Sequence, residues 1–494
     1  MKIKFITTIL LLCMPILTFA ASWADNGSYD VSWYKKSQTE FQISTAKELA
    51  GMAYLVNNNY TSFEGKTVKL AADINLGEKY WEPIGMGNTK FEGTFDGDGH
   101  RIYNVHINEG DRLYRSGFWV SVVNATLKNF KLLGTVSIDG DTTIGLVAGR
   151  AAKSTISDIY VDGIIKFKNE SVSTNTGFKY WYQIGGCVGE AANCKFLNIR
   201  NYSVIEFVFG KSNGDNCYGN VNLYAGGIVG SGDGNTYNRC QTENACVIGI
   251  NGYVTNSSYS QVGSGGIYYG GIAGHDTSSS TTFTTCYAKV RNFEGHHYNG
   301  TFDGVSFYYG GIVGGADTGL NVHPLNNCVA ITSNYTITGH PYTWAASYYH
   351  TSSCFAGITC RKPVNTKICY SNNNVRKNIE KVRTNDVGEC GSTSFSSNEM
   401  LTKEFVDELN FYTQLEYDKD IWTLENGNLE FLPEDQGNGS VDEINVDAPN
   451  EIVAIYDLNG NRLNEIQNGV NIVVYKGGCV RKIVRTRKKT AKFG

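Results

Sequence analysis

The sequence predicts an all-β protein whose main body is a right-handed parallel β-helix, a solenoid with short capping helices and a small C-terminal β domain. Three observations carry that prediction. A glycine-marked element recurs as Gly185-Gly186-Cys187-Val188-Gly189, Gly226-Gly227-Ile228-Val229-Gly230, Gly270-Gly271-Ile272-Ala273-Gly274 and Gly310-Gly311-Ile312-Val313-Gly314. An apolar position, often Cys, follows each copy at a similar distance. The composition of 56 Gly, 31 Tyr and only 7 Pro in 494 residues suits many short strands joined by Gly and Asn turns. Such units cannot bury an apolar face alone and stack on their neighbours into one continuous core.

From the N-terminus, Lys2 and Lys4 precede a mostly apolar run from Phe5 to Leu17 and then Thr18-Phe19-Ala20-Ala21, the pattern of a secretory signal peptide over residues 1–20. The run is shorter than the roughly 20 residues that span a bilayer, and no comparable stretch follows. The expectation is an exported chain, secreted or at the outer cell surface, without a transmembrane span. Residues 21–110 are expected to form an N-terminal cap and the first coils. Thr45, with Glu48 three residues on, makes a capping box before Leu49, Met52, Ala53, Leu55 and Val56, which predicts a short amphipathic helix. A cap is needed because the end of a solenoid exposes unpaired strand edges.

Residues 111–433 hold the coils. Weaker copies at Gly117-Phe118-Trp119-Val120, Gly145-Leu146-Val147-Ala148-Gly149 and Ala356-Gly357-Ile358 flank the four strong ones, and the spacing of 28 to 46 residues implies fixed strands with loops of varying length. The downstream position is Phe130, Ile159, Cys194, Cys240, Cys286, Cys328 and Cys369. Because thiols replace plain apolar residues there, one inward site per coil is expected, stacked into a ladder. The Gly pairs fit where the chain bends or two backbones approach closely. Residues 256–266, 276–282 and 292–303 are polar and are expected to form loops on one side of the rod.

Residues 402–411 predict a helix, and Ile421-Trp422-Thr423-Leu424 with Asn426-Gly427 a hairpin that closes the end. Residues 434–448 form a polar linker. A small β-sandwich-like domain is expected over 449–494, with strands at 452–456, 470–475 and 480–484.

The Gly-Gly-Ile-Val-Gly elements with their Asn-Cys-Tyr-Ala-like partners resemble the GLUG motif over about residues 40 to 433. That motif occurs in bacterial surface β-helix proteins, adhesin-like proteins and the N-terminal regions of some IgA-cleaving metallopeptidases. Ile455-Tyr456-Asp457-Leu458-Asn459-Gly460-Asn461-Arg462-Leu463 with Gly469-Val470-Asn471-Ile472 resembles the C-terminal β domain of secreted Bacteroidetes proteins. The resemblance implies a sorting or anchoring role for the tail, which departs from the pattern by running on through Arg485, Arg487, Lys488 and Lys489.

Several function classes are set aside by composition and motif. A formal net charge of −4 offers no field for nucleic acid. No His-Glu-x-x-His zinc helix, Gly-x-Ser-x-Gly elbow or Cys-x-x-Cys pair occurs, so no catalytic residues, metal or cofactor are predicted. Asp96 with Asp98, and Asp139 with Asp141, lie in Gly-containing turns where Asp bonds the local backbone. Among the cysteines, Cys354 with Cys360 is the first candidate for a local bridge and Cys217 with Cys246 the second. The basic end from Arg481 to Lys492 is expected to be a solvated final strand and tail, with contact to anionic polysaccharide as the functional alternative.

The candidate ligand-binding residues are the aromatics just before the Gly pairs: Tyr182, Tyr224, Tyr268, Tyr269, Tyr308 and Tyr309, with Tyr180-Trp181 and Tyr348-Tyr349 at matching places. Facing solvent, they would form a column of rings against sugars or a partner protein. The plainer expectation is that alternate rings fill the core or cover a sheet. The function expected is that of a non-catalytic, monomeric adhesin-like protein whose partner is a host glycoprotein or a polysaccharide. The alternative is a carbohydrate-active enzyme, a lyase or glycoside hydrolase, which needs carboxylates or basic side chains converging on one face.

Overall fold

In a computed structural model the chain forms a parallel β-helix with three faces. The structure describes residues 21–432, except 78, 87–88, 110–114, 140–142, 170–178, 210–216, 219, 251–253, 256–264, 302–304, 317–323, 341–352, 357, 360–368, 373–383, 387–392 and 418, together with strands between 452 and 485. The expected signal peptide, the 434–448 linker, the Cys354–Cys360 bridge and Tyr348-Tyr349 lie outside the described residues or side chains.

Each central coil visits the faces in one order. Gly265–Gly270 lies on an eight-stranded tyrosine face, Ala273–Asp276 on a six-stranded glycine face, and Thr282–Thr284 with Tyr287–Thr301 on a long seventeen-stranded face. Described neighbours in all three faces pair in parallel, as in Tyr268↔Tyr308, Ala273↔Val313 and Tyr287↔Val329. A parallel ladder with sequential strands requires each coil to return to its start before the next begins, which is what the repeat spacing encodes. The 292–301 part of the loop expected at 292–303, the part within the described residues, is not a loop. It continues the strand to Thr301, because Phe293 is buried against Tyr269 and Tyr309, with ring centroids at 4.9 and 5.2 Å.

The three glycines of each motif serve close approach, and none has a positive φ. A Cβ at Gly270 would lie 1.9 Å from the Ala273 carbonyl of its own turn, and one at Gly271 would lie 2.1 Å from the Gly311 carbonyl of the next coil. At Gly274 it would meet the Ala225 backbone of the preceding coil at 2.5 Å. The first two glycines thus let the chain turn and the coils stack, and the third lets the glycine face fold against the outside of the tyrosine face.

The long face is kinked at one residue per coil. Asn129, Asp158, Asn198, Arg239, Thr285 and Asn327 all have φ between 50° and 57°, a conformation Asn and Asp tolerate best. Asn198 Nδ2 donates to Asp158 Oδ1 at 2.9 Å, tying successive kinks together. The residue after each kink points inward, and the register makes that column Phe130, Ile159, Ile199, Cys240, Cys286, Cys328 and Cys369.

The thiol ladder therefore holds four cysteines, and Cys194 is not one of them. Its coil has two left-handed residues five apart, Asn193 and Asn198, and the Asn-Cys pattern belongs to the first. Cys194 instead joins Ser154, Asn235 and Thr281 at a corner, where Asn235 Oδ1 accepts from the Cys194 N–H at 2.8 Å and Thr281 Oγ1 from that of Asn235 at 3.1 Å. Within the ladder, Cys286 and Cys328 donate to the carbonyls of Tyr237 and Phe283, both at 3.6 Å. Burial pushes the Cys286 and Cys328 thiols well above their ordinary range, so they remain protonated.

The N-terminal cap follows expectation. Helix α1 (Ala46–Asn57) carries the Thr45/Glu48 capping box and buries Leu49, Met52, Ala53, Leu55 and Val56. The other predicted plug does something different. Helix α2 (Lys403–Tyr417) and the hairpin Trp422–Glu425/Asn428–Phe431 fold back along the outside of the long face as a flap. Its reason is the outward column Arg200, Gln241, Tyr287, Val329 and Tyr370, apolar in its last three members. The flap buries Tyr287, Val329 and Tyr370 against Phe405, Leu409, Trp422 and Phe431. Gln241 Nε2 donates to Glu430 Oε2 at 2.6 Å and Lys289 Nζ to Asn428 Oδ1 at 3.0 Å along its edge.

Internal contacts divide the chain after Phe431. In the second unit the described strands Arg462–Leu463, Ile452–Tyr456, Gly469–Tyr475 and Val480–Arg485 form one antiparallel four-stranded sheet in that order, rather than the two layers of a sandwich.

Candidate functional site

Strand alternation sorts the six candidate tyrosines into two sets. Tyr182, Tyr269 and Tyr309 point inward and are fully buried, which removes them from any surface. Their hydroxyls meet polar groups of the long face: Asn169 Nδ2 donates to Tyr182 Oη at 2.8 Å, Tyr269 Oη donates to Asn244 Oδ1 at 3.0 Å, and Tyr309 Oη pairs with Thr332 Oγ1 at 2.6 Å. A buried Tyr needs such a partner, and each coil supplies one. In the doubled Tyr-Tyr pairs the second ring is core and the first faces out.

Tyr224, Tyr268 and Tyr308 are the outward members and stand in register. Extended backwards, the same column reads Arg115, Thr143, Gln183, Tyr224, Tyr268, Tyr308. The neighbouring column on the glycine face reads Ser121, Arg150, Glu190, Ser231, His275, Gly315. The two columns touch. Tyr224 stacks on His275 with centroids at 4.4 Å, Tyr268 meets His275 edge-on at 5.0 Å, and Arg115 Nη2 lies 3.5 Å from Glu190 Oε2. Outward side chains of adjoining sheets meet only where the outer angle is re-entrant, so a groove runs along this corner. The third glycine of each motif sets its depth, since a Cβ at Gly189 would strike Thr143 Cγ2 at 2.6 Å.

Aromatic rings pave the later half of the groove. Tyr268 and Tyr308 stack at 4.4 Å with planes 8° apart, and Tyr224 is tilted against Tyr268 at 5.2 Å. Trp181, 51% exposed, leans on Tyr224 at 5.9 Å. The 8% exposure of Tyr224 and 2% of His275 make those two the floor, leaving Trp181, Tyr268 and Tyr308 as the accessible rings. The sequence singled out the tyrosines but missed Arg115, Arg150, Glu190 and His275. Their signal is only their offset from the marker glycines.

The acidic turn residues are structural. Asp96 accepts from the Asp98 N–H and from Asn129 Nδ2, both at 3.0 Å, and lies 3.1 Å from Lys128, while Asp98 pairs with Lys69 at 3.0 Å. Asp141 lies outside the described residues. Among the described residues no group of three or more His, Cys, Asp or Glu side chains is placed to hold a metal ion. Cys246 is a buried free thiol, which rules out its bridge to Cys217.

Among the described residues Asp276 is the one buried acid beside the groove wall. Burial pushes its pKa up to about 7 and the Asp233 charge adds to that, against hydrogen bonds from the Ser278 N–H and Thr281 Oγ1. A folded-state pKa above the unfolded value means that its contribution to stability is full below about pH 4 and is lost as pH rises through 7. Asp276→Asn should therefore flatten the fall of the melting temperature between pH 5 and pH 8. A fall identical in slope for both proteins would contradict this.

No described family matches the chain. It is 27% identical over 154 residues to a "Putative Gly-rich membrane protein" of Evansella cellulosilytica, a match covering 30% of this chain and 18% of that protein. In structure it is similar to an IgA1 protease at a TM-score of 0.36 and 14% identity, over 89% of this chain and 32% of the other. The chain thus spans less than a fifth of the first protein's length and about a third of the second's. No helix among the described residues is long and apolar enough to cross a membrane.

Proposed function

We propose that this chain is an adhesin-like, non-catalytic β-helix of the GLUG type, exported to the cell surface or medium, that holds a polysaccharide or the glycans of a host glycoprotein along the groove between its tyrosine and glycine faces. The observation that carries this reading is the outward column Tyr224, Tyr268 and Tyr308 along one re-entrant corner, its last two rings accessible, with exposed Trp181 leaning on Tyr224 from two residues before the column's Gln183. Successive coils rise about 4.8 Å and Tyr268 and Tyr308 stack on each other along that direction, so a linear ligand in the groove meets a repeated strip of aromatic ring edges. The C-terminal four-stranded sheet would serve sorting or anchoring.

A binding role is favoured over catalysis by what the columns contain. Acid–base cleavage of a glycoside uses two carboxyl groups flanking the bond. The two columns present one, Glu190, held between Arg115 and Arg150. A glycan and matrix-protein array probed with the intact chain should give binding that Tyr268→Ala with Tyr308→Ala weakens roughly tenfold or more. The inward control Tyr269→Phe should leave it unchanged. Equal binding by the double variant would sink the proposal.

A further inference from the structure

We infer that the groove selects an acidic linear glycan, its rings on the aromatic half and its anionic substituents on a guanidinium pair at the other end; this rests on the binding role proposed above. Arg115 heads the same column as Tyr224, Tyr268 and Tyr308, and Arg150 lies in the facing column beside Glu190. Arg115 Nη2 stands 3.5 Å from Glu190 Oε2, and Arg150 Nε 3.5 Å from Glu190 Oε1. Both separations exceed the roughly 2.8 Å of a strong charge-assisted hydrogen bond.

One carboxylate thus faces two cations, and a net positive charge remains. Each guanidinium has five N–H donors in a planar fork, far more than Glu190 can accept. The side chains of Arg115 and Arg150 are 41% and 38% exposed, open enough to reach a ligand and covered enough to be held in place. Arg115 and Arg150 stand on the first two of these coils, Trp181 on the third, and Tyr224, Tyr268 and Tyr308 on the next three. At about 4.8 Å per coil, the cations lie about 14 to 24 Å along the groove from Tyr268 and Tyr308. Only an extended oligomer touches both. A neutral chain would leave the two guanidiniums only the one carboxylate of Glu190 to share, whereas carboxylate or sulfate groups on the ligand accept their forks in pairs.

The test measures binding of the intact chain to polygalacturonate, which carries carboxylates only, to dextran sulfate, which carries sulfates only, and to neutral dextran and mannan. An acidic glycan should bind at least roughly tenfold more tightly than the neutral ones, with affinity falling as salt rises. Which acidic arm binds identifies the substituent. Arg115→Gln with Arg150→Gln should bring that affinity and its salt dependence down to the neutral level. Glu190→Gln, which frees both guanidiniums, should tighten acidic binding, a gain that poor folding of a variant cannot produce. Equal binding of acidic and neutral glycans, or no response to any of these changes, would overturn the inference and leave the binding role standing. Binding of no glycan would overturn the binding role itself.

Discussion

Replacing Gly271 with Ala should lower the stability of the β-helix by about 3 kcal/mol or more. Overpacking a well-filled interior costs typically 1 to 3 kcal/mol, because neighbours shift to make room. Here the obstacles are the Gly311 carbonyl oxygen at 2.1 Å and the Ala288 Cβ at 2.4 Å, and the first is backbone fixed in the next coil. Ile312, one residue on, donates its N–H to Ile358 and accepts the Ile272 N–H, both at 2.9 Å, so the coil can yield only by breaking its ladder. In a solenoid whose stability is a sum of neighbouring interfaces, one lost interface uncouples the turns on either side. Urea unfolding should show a lower midpoint and a broader transition, while Ser280→Ala at an exposed turn serves as control. An unfolding free energy within about 0.5 kcal/mol of the parent's would contradict the close-approach explanation of the motif.

Trp422→Ala should release the flap without unfolding the coils. Trp422 is 1% exposed, packed on Phe431 at 4.7 Å and Tyr287 at 6.2 Å. Truncating a buried Trp costs about 3 to 5 kcal/mol. The flap has few other anchors of that size, so the loss falls on it first, and residues 396–431 should lose hydrogen-exchange protection while Val188–Ala192 and Val229–Asp233 keep theirs. Freed of cover, Tyr287, Val329 and Tyr370 would expose an apolar stripe, and self-association should increase. Simultaneous loss of protection in flap and coils would show that the flap is part of the rod's core.

The solenoid was legible because its constraints are local. Gly185, Gly226, Gly270 and Gly310 recur in phase because backbone contacts allow nothing larger, and period-two alternation could be read through Tyr268-Tyr269 once its direction was known. The direction itself was hidden. Nothing in a Tyr-Tyr pair says which ring finds Asn244, since that partner lies 25 residues away on another face. Cys194 was misplaced for a similar reason: its coil contains two kinks, and the pairings of Ile159 with Ile199 and of Arg200 with Gln241 show that Ile199 holds the ladder position. The flap was misread as a plug because its apolar face announces burial without naming the surface that receives it. The groove combines residues from two faces, and its arginines and glutamate follow no motif, so it emerges only from register.

The groove requires Arg115 and Tyr308 to stand in one outward column five coil steps apart. Spin labels at these two positions should give a single narrow distance centred at about 24 Å, the product of five steps and the strand spacing. A broad distribution, or a distance well beyond that value, would mean that the coils do not stack in this register and that no groove joins the guanidiniums to the rings.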